Sequence, residues 1–168
     1  MDNYSILQSF LDKDEWVAAI DYLTQVSEKH PEDVDVAINL VYCFGIFLSE
    51  KAEMDAISVY QNRSIAFFEQ AYERFRDNPD FLFYAGFMVC IGEWNYGIED
   101  HFGDKMMAMA LSMRPDDVVF SLGSDMEDRK QLKRHVFSYL DENGYESVLK
   151  HGPMGEYFLD CFRPKPYD

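Results

Sequence analysis

Side chains that could bind a metal ion or transfer protons occur in this sequence, but their spacing keeps them apart. The four histidines are His30, His101, His135 and His151. No His-Glu-x-x-His pattern and no pair of nearby cysteines accompanies them, whereas zinc sites draw their ligands from such short spacings. We therefore predict no metal site and no cofactor, and we interpret each histidine as a surface or helix-end residue.

Neighbouring carboxylates are the other candidates for catalysis, because one could act as an acid and the other as a base. Examples are Asp33 with Asp35, Glu99 with Asp100, and Asp116 with Asp117. Each pair lies at a predicted helix start or in a loop, where the helix dipole and unpaired amides already favour acidic residues. Phosphate-binding glycine loops and the Gly-x-Ser-x-Gly turn are absent from the sequence. We predict that the protein is not an enzyme; the alternative is an enzyme with a carboxylate site and His101 or His135 in a helical bundle.

The balance of charge indicates which partners the protein can attract. The chain carries 31 acidic and 15 basic side chains, which gives a formal net charge of −16. A field of this sign repels nucleic acid phosphates and anionic lipid head groups, and it attracts basic proteins. The same surplus also keeps a small domain in solution, so it does not identify a partner by itself. We predict a basic protein as partner, neither nucleic acid nor membrane, and we leave the oligomeric state open.

The cysteines and the first residues indicate the compartment. Cys43, Cys90 and Cys161 are widely spaced, and two of them lie in apolar runs. An odd number of buried thiols fits a reducing compartment better than a disulfide framework. The chain begins without the basic-then-apolar pattern of a signal peptide, and no segment approaches the roughly 18 apolar residues of a membrane span. These features predict a cytoplasmic protein.

The elements that position these side chains are predicted to be helices, because apolar residues recur at three- and four-residue spacing. The predicted helices cover about 4–11, 14–30, 33–50, 54–76, 81–90, 104–113, 116–126, 129–143, 145–150 and 156–162. The helix over 33–50 is apolar nearly all round, which predicts a central position. Asp14 is predicted to cap the second helix, Asn62-Arg63-Ser64 is a candidate break in the fourth, and 92–103 is predicted to be a loop. The fold class is all-α.

Prolines and small residues recur at similar places in successive helices. Pro31, Pro79 and Pro115 follow patterned helices and are separated by 48 and 36 residues. Small and large residues alternate in the helices around them: Ala19, Leu23 and Val26; Leu82, Ala85, Gly86 and Val89; Ala110, Leu111 and Met113; Val119, Leu122, Gly123 and Met126. This pattern resembles degenerate tetratricopeptide repeats, with Asn39 where one copy would have glycine.

The resemblance implies antiparallel helical hairpins that form a right-handed superhelix over about residues 14–143. We predict one domain over 1–168, in which segments of 144–162 cap the array and 163–168 form a tail. In tetratricopeptide arrays the first helix of each hairpin lines a concave groove. Carried over by register, the predicted partner-binding residues are Asp33, Asp80, Phe83, Phe87, Asp117, Phe120, Ser124, Glu127 and Asp128. Several apolar members of this set would instead be core residues if the short array closes on itself.

An aromatic pair in the glycine-rich loop, Trp94 and Tyr96, is added to the predicted partner-binding residues, since large aromatic side chains on loops often anchor interfaces. Packing over the edge of the core is the alternative. A groove with an apolar floor and an acidic edge suits a basic helix or loop. The function we predict is an acidic protein-binding module, most specifically a bacterial immunity protein that neutralises a basic toxin. A chaperone or adaptor for a basic protein fits the same features, and a purely structural or self-associating domain is the third hypothesis.

Overall fold

The computed structural model describes residues 3–98, 101–124 and 129–163, and all regular secondary structure in these ranges is helical. The helices are α1 (Asn3–Leu11), α2 (Trp16–Lys29), α3 (Val34–Ile46), α4 (Met54–Phe75), α5 (Pro79–Ile91), α6 (Phe102–Met113), α7 (Arg129–Asn143), α8 (Glu146–Leu149) and α9 (Pro153–Phe162). A π-helical turn, Phe47–Lys51, continues α3. The predicted all-α fold class is confirmed. None of the described helices is long and apolar enough to cross a membrane.

Helices α3 and α5 begin where short polar side chains hold the first free amides. Asp33 Oδ1 accepts hydrogen bonds from the backbone N–H groups of Asp35 and Val36, at 3.0 and 3.2 Å. Asn78 Oδ1 accepts from the N–H of Phe81 at 3.0 Å. Asp and Asn are favoured at this position because a helix leaves its first amides without internal partners. These caps determine where both helices start, and so they determine the positions of Asp35 and Asp80 in the first turns.

The structure decides between one helix and a break over 54–76, and it corrects the predicted cap of α2. α4 runs without a break through Asn62-Arg63-Ser64, and Ser64 lies with Phe68 on the buried stripe of the helix. Tertiary packing therefore outweighs the weak helix propensity of those residues. Asp14 does not cap α2: its backbone is left-handed, with φ of 60°, and its carboxylate accepts a hydrogen bond from Trp16 Nε1 at 2.7 Å.

The two remaining predicted segments are shorter or more ordered than expected. The segment 92–103 was predicted to be a loop, but it contains a 3-10 turn, Glu93–Tyr96, and the start of α6. In place of the helix predicted over 116–126, the described part has only a 3-10 turn, Phe120–Gly123, while 125 and 126 lie outside the described residues. Helix α7 matches the prediction for 129–143.

The core is built around α3 and α5, which are buried along most of their length. α5 and α6 form a tightly packed hairpin. A β-carbon added at Gly103 would lie 2.6 Å from both Cys90 Sγ and the carbonyl oxygen of Gly86. Only a residue without a side chain allows that approach between two helix backbones, so Gly86 and Gly103 set the spacing of this hairpin.

Helix α9 packs across the faces of α3 and α5. The ring of Phe158 lies 5.5 Å from that of Phe83 and 5.3 Å from that of Phe87, measured between centroids. Tyr157 packs on Tyr42 of α3 at 5.2 Å. The segment predicted to be a terminal cap therefore forms part of the central core.

Candidate functional site

The predicted aromatic contacts are mostly inside the protein. Phe83, Phe87, Tyr96 and Phe120 are all buried, and the rings of Phe83 and Phe120 stack at 4.5 Å. Tyr96 donates a hydrogen bond through its hydroxyl to the carbonyl of Val41 at 2.9 Å. Phe158 of α9 packs on Phe83 and Phe87, and Tyr96 packs on Phe68 of α4. These four rings are therefore not available to a partner in this structure. These four residues, which were predicted to bind a partner, are instead part of the core.

The other predicted partner-binding residues do not lie together at one site. Trp94 remains on the surface, with 47% of the residue exposed. Asp117 accepts hydrogen bonds from the N–H groups of Val119 and Phe120, and it thus caps the 3-10 turn. Ser124 is partly buried. Glu127 and Asp128 lie outside the described residues.

Asp80 lies at the centre of a polar cluster at the start of α5. Its carboxylate forms ion pairs with Arg114 at 2.9 Å and with Lys150 at 3.3 Å. Asp80 Oδ1 also lies 3.9 Å from Nε2 of His151, a residue that is itself buried. Of the prediction that His151 is a surface or helix-end residue, the first part is wrong: His151 is buried, in the turn between the end of α8 and the start of α9. Asp80 is thus already paired within the chain, and its role is to hold three segments together.

His151 and Asn39 form a buried clamp between α3 and the C-terminal segment, which we call the polar clamp. His151 Nδ1 lies 2.6 Å from Asp35 Oδ1, so the ring N–H donates to the carboxylate. Asn39 Nδ2 donates to the carbonyl oxygens of His151 and Asp35, both at 2.8 Å. Asn39 Oδ1 accepts from the N–H of Met154 at 3.1 Å. The side chain that replaces the glycine of the repeat pattern thereby satisfies the backbone at the start of α9.

The polar clamp lacks the access that catalysis requires. His151 Nε2 is enclosed and has no hydrogen-bond partner among the described residues, and the ring packs on Tyr84 with 4.3 Å between centroids. Burial raises the pKa of the Tyr84 phenol well above its usual range, and the carboxylates of Asp80 and Asp117 raise it further. Tyr84 therefore stays neutral near pH 7. A substrate could reach neither ring without displacing core residues, so the geometry supports a structural role.

The alternative enzyme hypothesis named His101 and His135, and neither lies in such a cluster. His101 is exposed, and its Nδ1 lies 3.5 Å from Asp104 Oδ2. His135 is exposed on α7. Burial raises the pKa of the Cys43 thiol far above its usual range, so that thiol stays protonated and unreactive. Among the described residues, no group of three or more His, Cys, Asp or Glu side chains could hold a metal ion.

A surface groove offers carboxylates without cations. It comprises two cavities of about 420 and 230 Å³ that are both lined by Tyr4, and it lies between α1, the turn before α3 and the turn between α8 and α9. The carboxylates that line it are Asp12, Asp33, Asp35 and Glu156, and none of its described lining residues is basic. We call this surface the acidic groove. Asp33 is the predicted partner-binding residue that it contains.

The floor of the acidic groove is a tyrosine held against a glycine. Gly152 has φ of 62°, and a β-carbon there would lie 2.7 Å from Cδ1 of Tyr4. The Tyr4 ring can therefore lie flat on the turn between α8 and α9. Tyr4 and carboxylates line the same two cavities, and carboxylates together with an aromatic ring suit a lysine or arginine side chain, which can form ion pairs and cation–π contacts. Sequence spacing could not reveal it, because Asp12 and Glu156 are far apart in the chain.

Comparison of the chain with family models, with curated proteins and with solved structures found no match.

Proposed function

We propose that this protein is an acidic protein-binding module, and specifically an immunity protein that neutralises a basic toxin by binding one of its basic segments in the acidic groove. The observation that carries the proposal is the lining of that groove, which has four carboxylates and no basic residue among those described. Asp35 is already hydrogen-bonded to His151, so the proposal rests on Asp12, Asp33 and Glu156. The net charge of −16 extends the same preference over long range. Such a field raises the association rate of a basic partner and makes it depend on ionic strength.

Two features of the groove favour a lysine or arginine from the partner. Glu156 and Asp12 are exposed, so they can reorient towards an incoming cation. Asp33 uses Oδ1 to cap α3, and its other carboxylate oxygen can accept from a ligand. The Tyr4 ring adds apolar contact to the aliphatic part of a basic side chain. A segment with several basic residues would therefore contact more than one carboxylate at once.

We further infer that the helical hairpins are degenerate tetratricopeptide-like repeats in a right-handed superhelix. The close approach of Gly86 in α5 to Gly103 in α6 supports this, since small residues permit such contact between the two helices of a repeat. The concave surface is filled by the chain's own α9. We therefore assign partner binding to the acidic groove, and we place the protein in the cytoplasm, where an immunity protein would intercept its toxin.

The test uses genetic neighbourhood, because an immunity gene lies beside the gene of its toxin. The neighbouring gene product is expressed with and without this protein, and growth and binding affinity are measured. We expect the wild-type protein to restore growth and to bind more weakly as salt increases, because exposed ion pairs are screened. Replacing both Asp12 and Glu156 by Lys should abolish rescue and binding.

The control keeps the same change in net charge. Asp77 and Glu142 are exposed and lie outside the acidic groove. Replacing both by Lys should leave rescue intact and reduce the affinity only slightly. If the two double variants behave alike, long-range charge and not the acidic groove determines binding. If no neighbouring product is toxic or is bound, the immunity function is rejected.

A further inference from the structure

A second cleft of the described structure lies on a different surface. It has a volume of about 550 Å³ and lies between α2 and α4, with Phe44 of α3 among the residues that line it. Both α2 and α4 pack on α3. The volume falls within the roughly 300–1,000 Å³ typical of binding clefts. We call this surface the α2–α4 cleft.

The wall formed by α4 is a regular stripe. Arg63, Phe67, Gln70 and Arg74 follow the spacing i, i+4, i+7 and i+11, so they lie on one face of the helix. The two arginines are about 16 Å apart along the axis, which corresponds to three turns. The opposite wall has Ser27 and Glu28 of α2. Two helical walls above an aromatic residue resemble the grooves that bind an amphipathic helix.

The charge of this cleft is opposite to that of the acidic groove. Arg63 and Arg74 line it together with Glu28, the one acidic residue in its described lining. Arg63 pairs with Asp21 at 2.8 Å and lies over the Tyr60 ring at 4.9 Å. Arg74 donates to the carbonyl of Pro31 at 3.0 Å. A guanidinium has five N–H donors, so both arginines retain donors for a carboxylate.

We propose that the α2–α4 cleft binds an amphipathic helix from another protein, which presents two carboxylates three turns apart and apolar side chains between them. The carboxylates would pair with Arg63 and Arg74, and the apolar side chains would contact Phe67 and Phe44. This site goes beyond the proposed function, because it is a separate surface with the opposite charge preference. It can be tested whether or not the acidic groove binds a toxin.

The probe is a fluorescent, alanine-based helical peptide that has Glu at position i, Leu at i+4 and i+7, and Glu at i+11, which is the spacing of the stripe on α4. This spacing reads the same in both directions, so the peptide fits in either orientation. A second peptide has Lys in place of both Glu residues. Fluorescence anisotropy is measured at about 0.15 M salt, which screens the long-range field of the net charge of −16. The Glu peptide should bind at least roughly fivefold more tightly, because two partly exposed ion pairs replace two repulsions. Equal affinity, or no binding of either peptide, would overturn the proposal.

Two variants locate the site. Changing Arg63 and Arg74 together to Gln should remove the preference for the Glu peptide, whereas changing the exposed Lys105 and Lys130 to Gln makes the same charge change elsewhere and should preserve it. Ala66→Trp, at an exposed position of the lining, fills the cleft without altering charge and should abolish binding. Circular dichroism verifies that each variant is folded. If the preference for the Glu peptide survives in both cleft variants, the proposal is contradicted. It is also contradicted if the wild-type protein self-associates and Ala66→Trp removes that self-association, because the occupant would then be a second copy of the chain.

Discussion

Replacement of Asn39 by Ala tests the idea that the polar clamp holds the C-terminal segment on α3. The wild-type side chain is fully buried and bonds to His151 and to Met154, which lie 112 and 115 residues away in sequence. Ala keeps the helix propensity of α3 favourable, so the change reports on lost contacts and not on helix formation. It leaves a buried N–H at Met154 and a buried carbonyl at His151 without their partner.

The magnitude follows from those two groups. A buried polar group deprived of its partner costs about 1–3 kcal/mol, so for two groups we expect a loss of about 2–6 kcal/mol in the free energy of unfolding. The third hydrogen bond, to the carbonyl of Asp35, adds little because that oxygen is available to the helical N–H of residue 39. Domains of this kind have a total stability of about 5–15 kcal/mol, so the loss is a large fraction.

The assay is urea denaturation followed by circular dichroism. With a slope of about 2 kcal/mol per molar urea, the midpoint should fall by about 1–3 M. The matched control is Asn143→Ala, because Asn143 Nδ2 also donates to the carbonyl four residues earlier, at 2.9 Å, but is exposed. We expect the control to change stability by less than about 0.5 kcal/mol. Equal effects of the two substitutions, or a loss below about 1 kcal/mol for Asn39→Ala, would refute the reasoning.

Two further predictions concern the core. Gly103→Ala should lower the melting temperature measured by calorimetry, because its methyl group would lie 2.6 Å from Cys90 Sγ. Such overpacking costs about 1–3 kcal/mol. An unchanged or higher melting temperature would contradict the packing described. Burial raises the pKa values of Tyr84 and Tyr96 above the ordinary 10.0. Since the unfolded chain then loses these protons at lower pH than the folded chain, stability should be full below pH 10 and fall above it by about 1.4 kcal/mol per pH unit for each tyrosine. Denaturant titrations between pH 9 and 11.5 measure the slope, which Tyr96→Phe should reduce; a slope that does not change would show that Tyr96 ionises in the folded protein.

The fold class and the central helices could be predicted because their signals are local. α3 is apolar on nearly all sides, and such a pattern has one physical solution, burial between neighbours. The unbroken α4 could not be predicted with the same security. The helix propensity of Asn62 is weak, and only packing of Ser64 and Phe68 in the core decides the outcome.

The polar clamp and the acidic groove could not be predicted because their members come from opposite ends of the chain. Asp35 and His151 are 116 residues apart, and nothing in the spacing around either residue indicates the other. Asn39 was a visible departure from the repeat pattern, and that departure was the one available signal. The buried rings illustrate the same limit, since Phe83 and Phe87 pack on Phe158, which is encoded some seventy residues later.

The position of α9 in the core has a consequence for biosynthesis. The aromatic faces of α3 and α5 are synthesised well before the helix that covers them. At about 5–20 residues per second, roughly 4–14 s separate the synthesis of Ile91 from that of Phe162. During that interval the nascent chain exposes phenylalanine and tyrosine rings that have no partner, and exposed apolar surface of this kind promotes aggregation. The aromatic surface of α3 and α5 therefore stays without its α9 cover until that helix has been synthesised.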